Sequence, residues 1–157
     1  MPGINVIVPA QWKDKVMCSD RNRFEDGAAE LPLVANLAVP DGTPVNIASN
    51  SHVAEITTSL AVSGVTLGNC VNGATAGAEV GNVIIIRVGD KLYGRLTDAV
   101  PSSWKGQVVG LLKGATNLGY KFVVSGFITG TNVFTISSIK DAVVGDTNAI
   151  IEVIKSS

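Results

Sequence analysis

The chain has 157 residues, of which 46% are apolar and only 16% charged, with a formal net charge of −1. It carries too much Val, Ile and Leu, and too little net charge, to be disordered. Its apolar runs fall far short of the roughly 20 residues that cross a bilayer as a helix. Twelve basic against thirteen acidic side chains give no electrostatic case for wrapping a nucleic acid.

The apolar fraction is lopsided, with 22 Val, 13 Ile and 11 Thr against 10 Leu and 2 Met. β-Branched side chains lose rotamer freedom in a helix and pack well on a pleated surface. Seventeen Gly and six Pro cut the apolar runs into short pieces. The expected fold is all-β, a compact β-sandwich or small β-barrel over residues 31–157 with an extended N-terminal arm over residues 1–30.

In chain order, Ile4–Val8 is strand-like and stops at Pro9, and Ala10–Met17 has length for two helical turns. Nine of the chain's 25 charges lie within residues 1–30. Such a segment buries too little apolar surface to order itself, so the arm is expected to lie on its own core or on another subunit. Its candidate contact residues are Ile4, Val6, Val8, Trp12, Met17 and Phe24. Residues 31–86 contain no Lys or Arg, and only Asp41, Glu55 and Glu79 as acids. Such a stretch suggests a surface covered by protein, either its own chain or a neighbour.

Leu31–Val39 and Thr43–Ala48 flank a Pro40-Asp41-Gly42 turn. Strands are expected over Val53–Leu60, Ala61–Leu67 and Ala78–Val88. A hairpin around Gly89-Asp90 leads into the alternating Lys91–Thr97. Tyr120–Ile128 and Thr131–Ile139 read as a second hairpin through Thr129-Gly130, and Asn148–Lys155 as a closing strand. Pro101–Gly114 stays open between a helix capped by Ser102 and a broken segment, since Gly106 and Gly110 weaken the helix. The glycines at 64, 68, 73, 77 and 81 fit turns and bulges of a twisted sheet.

The residues offer little chemistry. His52 is the single histidine, and it sits in the polar turn Ala48-Ser49-Asn50-Ser51-His52, where a solvated ring is expected in place of a catalytic one. One histidine with Cys18 and Cys70 cannot build the usual zinc sites. The two cysteines could form a bridge, although buried free thiols are commoner. Asp141 and Asp146 flank Ala142-Val143-Val144-Gly145 and could share a loop, which a solvated turn explains as well as an acid/base pair does. No phosphate-binding GxxxxGK[ST] loop or EF-hand spacing occurs. The N-terminus lacks the basic and apolar regions of a signal peptide, which suggests folding in a reducing cytoplasm. No catalytic residue, metal or cofactor is assigned, and an enzyme is not expected.

A structural assembly protein fits this pattern. Leu60-Ala61-Val62-Ser63-Gly64-Val65-Thr66-Leu67-Gly68-Asn69, followed by Val83-Ile84-Ile85-Ile86-Arg87-Val88-Gly89-Asp90, is similar in texture to the capsid decoration (cement) proteins of tailed bacteriophages. Asp141-Ala142-Val143-Val144-Gly145-Asp146 ahead of Ala149–Ile154 also resembles the endings in that group. The likeness covers residues 40–157 and departs in the longer charged arm and in Pro101–Gly114, so no interface residue is carried over from it. It implies a virion protein on the outer capsid surface, with the major capsid protein as partner and a homo-oligomer, a trimer in most of the group. Neither nucleic acid nor membrane is an expected partner. A phage tail or baseplate protein shares the composition, and a non-catalytic β-rich binding module is a further alternative. A carbohydrate module wants exposed aromatic residues, and a hydrolase wants more than one histidine.

Overall fold

The structure, a computed structural model, describes residues 17–18, 28–48, 50–56, 62–113, 120–124 and 133–156. Thirteen strands and no helix occur among these residues, so the fold is all-β as the β-branched excess predicts. The chain divides into two compact units: residues 20–87, and residues 88–157 together with 1–19. Most of the expected arm over residues 1–30 lies outside the described residues; of it, residues 17–18 and 28–30 lie in strands.

In the unit of residues 20–87, β2 (Ala28–Pro32), β4 (Pro44–Ile47), β5 (Val53–Glu55), β6 (Gly64–Thr66) and β8 (Val80–Ile85) form an antiparallel sheet in the order β2-β8-β6-β4-β5. The sheet curls until its two edges meet at a bridge between Leu33 and Val53. β3 (Ala38–Val39) pairs separately with β7 (Cys70–Val71). The core comprises Leu33, Leu37, Val39, Val45, Val53, Cys70 and Val83. The turn at Pro40-Asp41-Gly42 forms, with Gly42 at φ 77°, but its flanking strands enter different sheets and make no hairpin. Thr43 and Thr66 explain this corner. Both are buried, both hydroxyls donate to the Pro40 carbonyl (2.7 and 2.8 Å), and the Thr43 amide donates to the Thr66 hydroxyl at 2.9 Å.

The other unit holds β9 (Lys91–Leu96), β10 (Val108–Lys113), β11 (Tyr120–Val123), β12 (Phe134–Ile139) and β13 (Ala149–Lys155). These five close into a barrel in the order β9-β11-β10-β12-β13, with β13 returning to β9 and only the β9–β11 pair parallel. One edge of β9 is shared. Tyr93 and Leu92 pair with β1 (Met17–Cys18), and Arg95 and Leu96 pair with β11. Alternation sends Leu92, Leu96, Val109, Leu111, Phe122, Phe134, Ile136, Ile151 and Val153 inward, all of them buried. Burial of each is worth about 1.5–3 kcal/mol. Gly94 lies in the same inward row because Phe122 fills its place: a Cβ there would come within 2.5 Å of the ring.

Both expected hairpins fail, for one reason. β8 and β9 belong to different sheets: the chain turns at Val88-Gly89, but the two strands do not pair, and the Gly89 amide donates to the Lys155 carbonyl. β11 and β12 are separated by β10, which pairs with both, and the Thr129-Gly130 turn lies outside the described residues. Local turn chemistry can propose a hairpin, but barrel closure decides the neighbours. Of the open segment Pro101–Gly114, residues 101–113 are described: two successive turns, Trp104 N–H to Pro101 O and Gln107 N–H to Trp104 O, followed by β10. Gly106 holds φ 79° there, which breaks any helix from Ser102.

Candidate functional site

Most of the candidate contact residues fall where placement is not described. Ile4, Val6, Val8, Trp12 and Phe24 lie outside the described residues, and Met17 is placed by backbone alone, opposite Tyr93. His52 is half-buried beside its own turn, with Nδ1 3.1 Å from the Asn50 carbonyl and the ring over Gly77. Asp141 and Asp146 are both exposed at the loop between β12 and β13. Asp146 accepts the Val143 amide at 3.0 Å, a turn-closing role. No group of three or more His, Cys, Asp or Glu suited to a metal occurs among the described residues. No helix there is long and apolar enough to cross a membrane.

Cys70 is a free, buried thiol, so the Cys18–Cys70 bridge does not form. Burial pushes the thiol above its ordinary value, and the charge of Asp41 adds to the effect. A thiol held protonated and covered is an inert packing group. It fills the space left by Gly81, where a Cβ would meet the sulfur at 2.5 Å.

A polar cluster sits on the outer wall of the barrel. β12 bulges at Ser137, and the displaced hydroxyl donates to the Glu152 carboxylate at 2.9 Å and to its backbone carbonyl at 3.2 Å. Lys140 lies 4.0 Å from the other carboxylate oxygen and 5.3 Å from the Tyr93 ring centroid. Burial first, then the charge and hydrogen bond of Glu152, push the Tyr93 phenol above its ordinary value. The Ser137 bonds to Glu152 hold the bulge of β12 against β13.

A buried cation sits inside the barrel. Lys155 continues the inward row of β13 and places Nζ 5.2 Å from the Phe134 ring centroid. Burial pushes its ammonium below its ordinary value of 10.5. Between the lowered folded value and the unfolded value, the unfolded chain binds more protons, so stability rises with pH through that window. Tyr93 acts oppositely, since a raised phenol value makes stability fall above its unfolded value of 10.0. Comparing the native chain with Lys155→Met cancels the tyrosine. The native chain is expected to gain stability relative to the variant as pH climbs toward 10.5 in urea titrations. A difference independent of pH would show that Lys155 is not penalised by burial.

Among the described residues, Leu67, Val71, Val80, Val88, Val108, Val143 and Val144 are the exposed large apolar side chains, four of them at two loops. Residues 71–80 are exposed except Asn72, and Glu79 is their only charge. Val71 and Val80 stand at the two ends of this loop, 62% and 51% exposed. Leu67 lies opposite Asn82 through its amide bond to the Asn82 carbonyl, so it shares a sheet face with Val80. The loop is well held: Asn36 donates to Gly73 O, Gly77 to Leu33 O, and Asn72 to Leu37 O.

The other surface is the loop between β12 and β13. Val143 and Val144 are 65% and 52% exposed at its tip. Gly145 donates to Val100 O, Val100 to Asp146 O, and Asp146 to Val143 O, with Asp141, Gly145 and Asn148 all at positive φ. Two valines that cannot turn inward are thus presented on a fixed loop. A signal was present in the sequence, because a Val-Val pair enclosed between Asp141 and Gly145-Asp146 has no strand length in which to bury itself.

No protein-family model matches the chain, and no curated protein matches it.

Proposed function

We propose that this chain is a virion structural protein of a tailed bacteriophage, a decoration protein that binds the outer face of the capsid and stabilises the head. The observation that carries the reading is the surface of the 20–87 unit: residues 71–80 expose two valines and a run of Gly, Ala and Thr, within a stretch of 56 residues devoid of Lys and Arg. Small uncharged side chains have little rotamer entropy to lose and let another backbone approach closely. A surface of that kind suits burial against protein, and the all-β architecture and the texture shared with decoration proteins favour the capsid as that protein.

Purified chain mixed with phage heads that lack it is expected to pellet with the heads up to a fixed ratio and to raise their resistance to heat. Binding to isolated tails or baseplates without binding to heads would replace this reading with a tail protein. Binding to neither would remove the phage reading altogether.

A further inference from the structure

We propose that Asn72-Gly73 is a self-modifying site: inert while the unit of residues 20–87 is closed, it loses ammonia once that unit opens and so turns a transient opening into a lasting one. Of the chain's eleven asparagines, only Asn72 precedes a glycine. Ring closure is easiest at such a pair, because no Cβ on the following residue shields its amide nitrogen or restricts its backbone. The Gly73 nitrogen gives up its proton to solvent base and attacks Asn72 Cγ. An N–Cγ bond forms, the Cγ–Nδ2 bond breaks, and Nδ2 leaves as ammonia with a proton from water. Water then opens the succinimide at either carbonyl, leaving aspartate or isoaspartate at position 72. Water is the only co-reactant, and nothing is oxidised or reduced.

The closed unit withholds each requirement of that reaction. Nδ2, the leaving group, is held 3.1 Å from Leu33 O, 3.0 Å from Val34 O and 3.0 Å from Thr75 O. Oδ1 must carry the negative charge of the tetrahedral intermediate, yet it is buried and accepts no hydrogen bond among the described residues. No donor stabilises that charge. The backbone is pinned on both sides of the reacting peptide: the Asn72 amide donates to Leu37 O at 2.8 Å, and Gly73 O accepts the Asn36 amide at 2.7 Å. Bringing Cγ onto the Gly73 nitrogen breaks these bonds, and opening of the unit releases them together. After conversion to aspartate, a carboxylate oxygen takes the place of Nδ2 and faces the same three carbonyls, so closure is disfavoured. The isoaspartate product also lengthens the backbone between the bonds to Leu37 and Asn36. The proposal concerns this chain alone and stands whether or not the surface at 71–80 meets a capsid.

The test follows the full chain at mildly alkaline pH with a reductant present, once folded and once in guanidinium chloride. Cleavage after Glu55 and Glu79 in mild acid, which halts further ring closure, isolates residues 56–79. That peptide carries Asn69, Cys70 and Asn72, so tandem mass spectrometry reads conversion and thiol labelling on the same molecules. In denaturant, Asn72 is expected to convert faster than any other asparagine. In the folded chain its conversion is expected to be at least about a hundredfold slower. Samples half converted in denaturant are then refolded at neutral pH and given brief pulses of a thiol reagent. Cys70, buried in the closed unit, is expected to label about a hundredfold faster in converted molecules than in unconverted ones. Gly73→Ala is the control, since its Cβ meets nothing within 4 Å and its φ lies outside the left-handed region. It is expected to slow conversion in denaturant severalfold and to keep Cys70 covered after the same incubation and refolding. If that variant does not fold, native chain held in the same denaturant in mild acid, where the amide persists, takes its place. Conversion of folded chain within about tenfold of the denatured rate overturns the protection. Equal labelling of converted and unconverted molecules overturns the lasting opening.

Discussion

Phe122→Ala is expected to lower the stability of the barrel by about 3–5 kcal/mol, a large share of the roughly 5–15 kcal/mol that holds a domain together. Phe122 is fully buried and meets the edge of Phe134 with ring centroids 5.4 Å apart and planes at 72°. Across from it is Gly94, which has no side chain to swing into a void. The space left by the ring therefore stays open, and the cost falls in the upper part of the range. The same geometry predicts a compensation. Gly94→Ala alone forces a Cβ to within 2.5 Å of the Phe122 ring, an overpacking worth about 1–3 kcal/mol. Placed in the Phe122→Ala background, the same change should cost little or restore part of the loss. Trp104 lies in the barrel unit, so urea unfolding followed by tryptophan fluorescence reads the effect there. A Phe122→Ala loss below about 1 kcal/mol, or strictly additive costs in the double variant, would show that ring and glycine do not share that space.

The class of fold was legible because it depends on composition and on short-range alternation. Lys91–Thr97 shows why: Leu92 and Leu96 face inward and Lys91 outward, as period-two spacing requires. Asn148–Lys155 and the Pro40-Asp41-Gly42 turn were legible for the same local reasons. Pairing was not. Gly89-Asp90 and Thr129-Gly130 have hairpin chemistry, yet which strands become neighbours depends on closing five strands around one interior. That closure is set by the summed fit of inward side chains such as Phe122 against Gly94 and Val109 against Phe134, residues far apart in the chain. Sequence spacing carries no record of such a fit.

The candidate surfaces were half legible. Residues 31–86 lack Lys and Arg, and the exposed loop at 71–80 lies within that stretch. The Asp141–Asp146 segment drew attention through its carboxylates; the structure exposes these together with Val143 and Val144 and uses Asp146 to close the turn. Ser137 and Glu152 could not be found beforehand, because a bulge makes their meeting and a bulge has no fixed sequence mark. Asn72 was missed for a similar reason. Its partners are backbone carbonyls, which every residue possesses.

Asn72 carries the second large expectation. It is 5% exposed, and its Nδ2 lies 3.1 Å from Leu33 O, 3.0 Å from Val34 O and 3.0 Å from Thr75 O. Three acceptors around one nitrogen fix which way the amide points, since the oxygen in that place would face three carbonyls. Asn72→Asp makes that unfavourable contact unavoidable and is expected to cost about 3 kcal/mol or more. Asn72→Ala removes the donors without adding a charge and should cost less, about 1–3 kcal/mol. The aspartate variant should also acquire a pH dependence. Carbonyls crowding the new carboxyl disfavour its charged form, so its folded value rises above the unfolded one. Its stability then falls as pH rises through that window and recovers as pH drops. Cys70, two residues away and buried, supplies the readout: in a Cys18→Ser background, its labelling across a urea series reports opening of this unit. The midpoint is expected to fall in the order native, Asn72→Ala, Asn72→Asp at neutral pH, with the two variants converging in acid. An aspartate variant as stable as the native chain at neutral pH would mean that the amide nitrogen does not hold residues 33–34 to the 72–75 turn. The exposed surface at 71–80 would then need another explanation for its order.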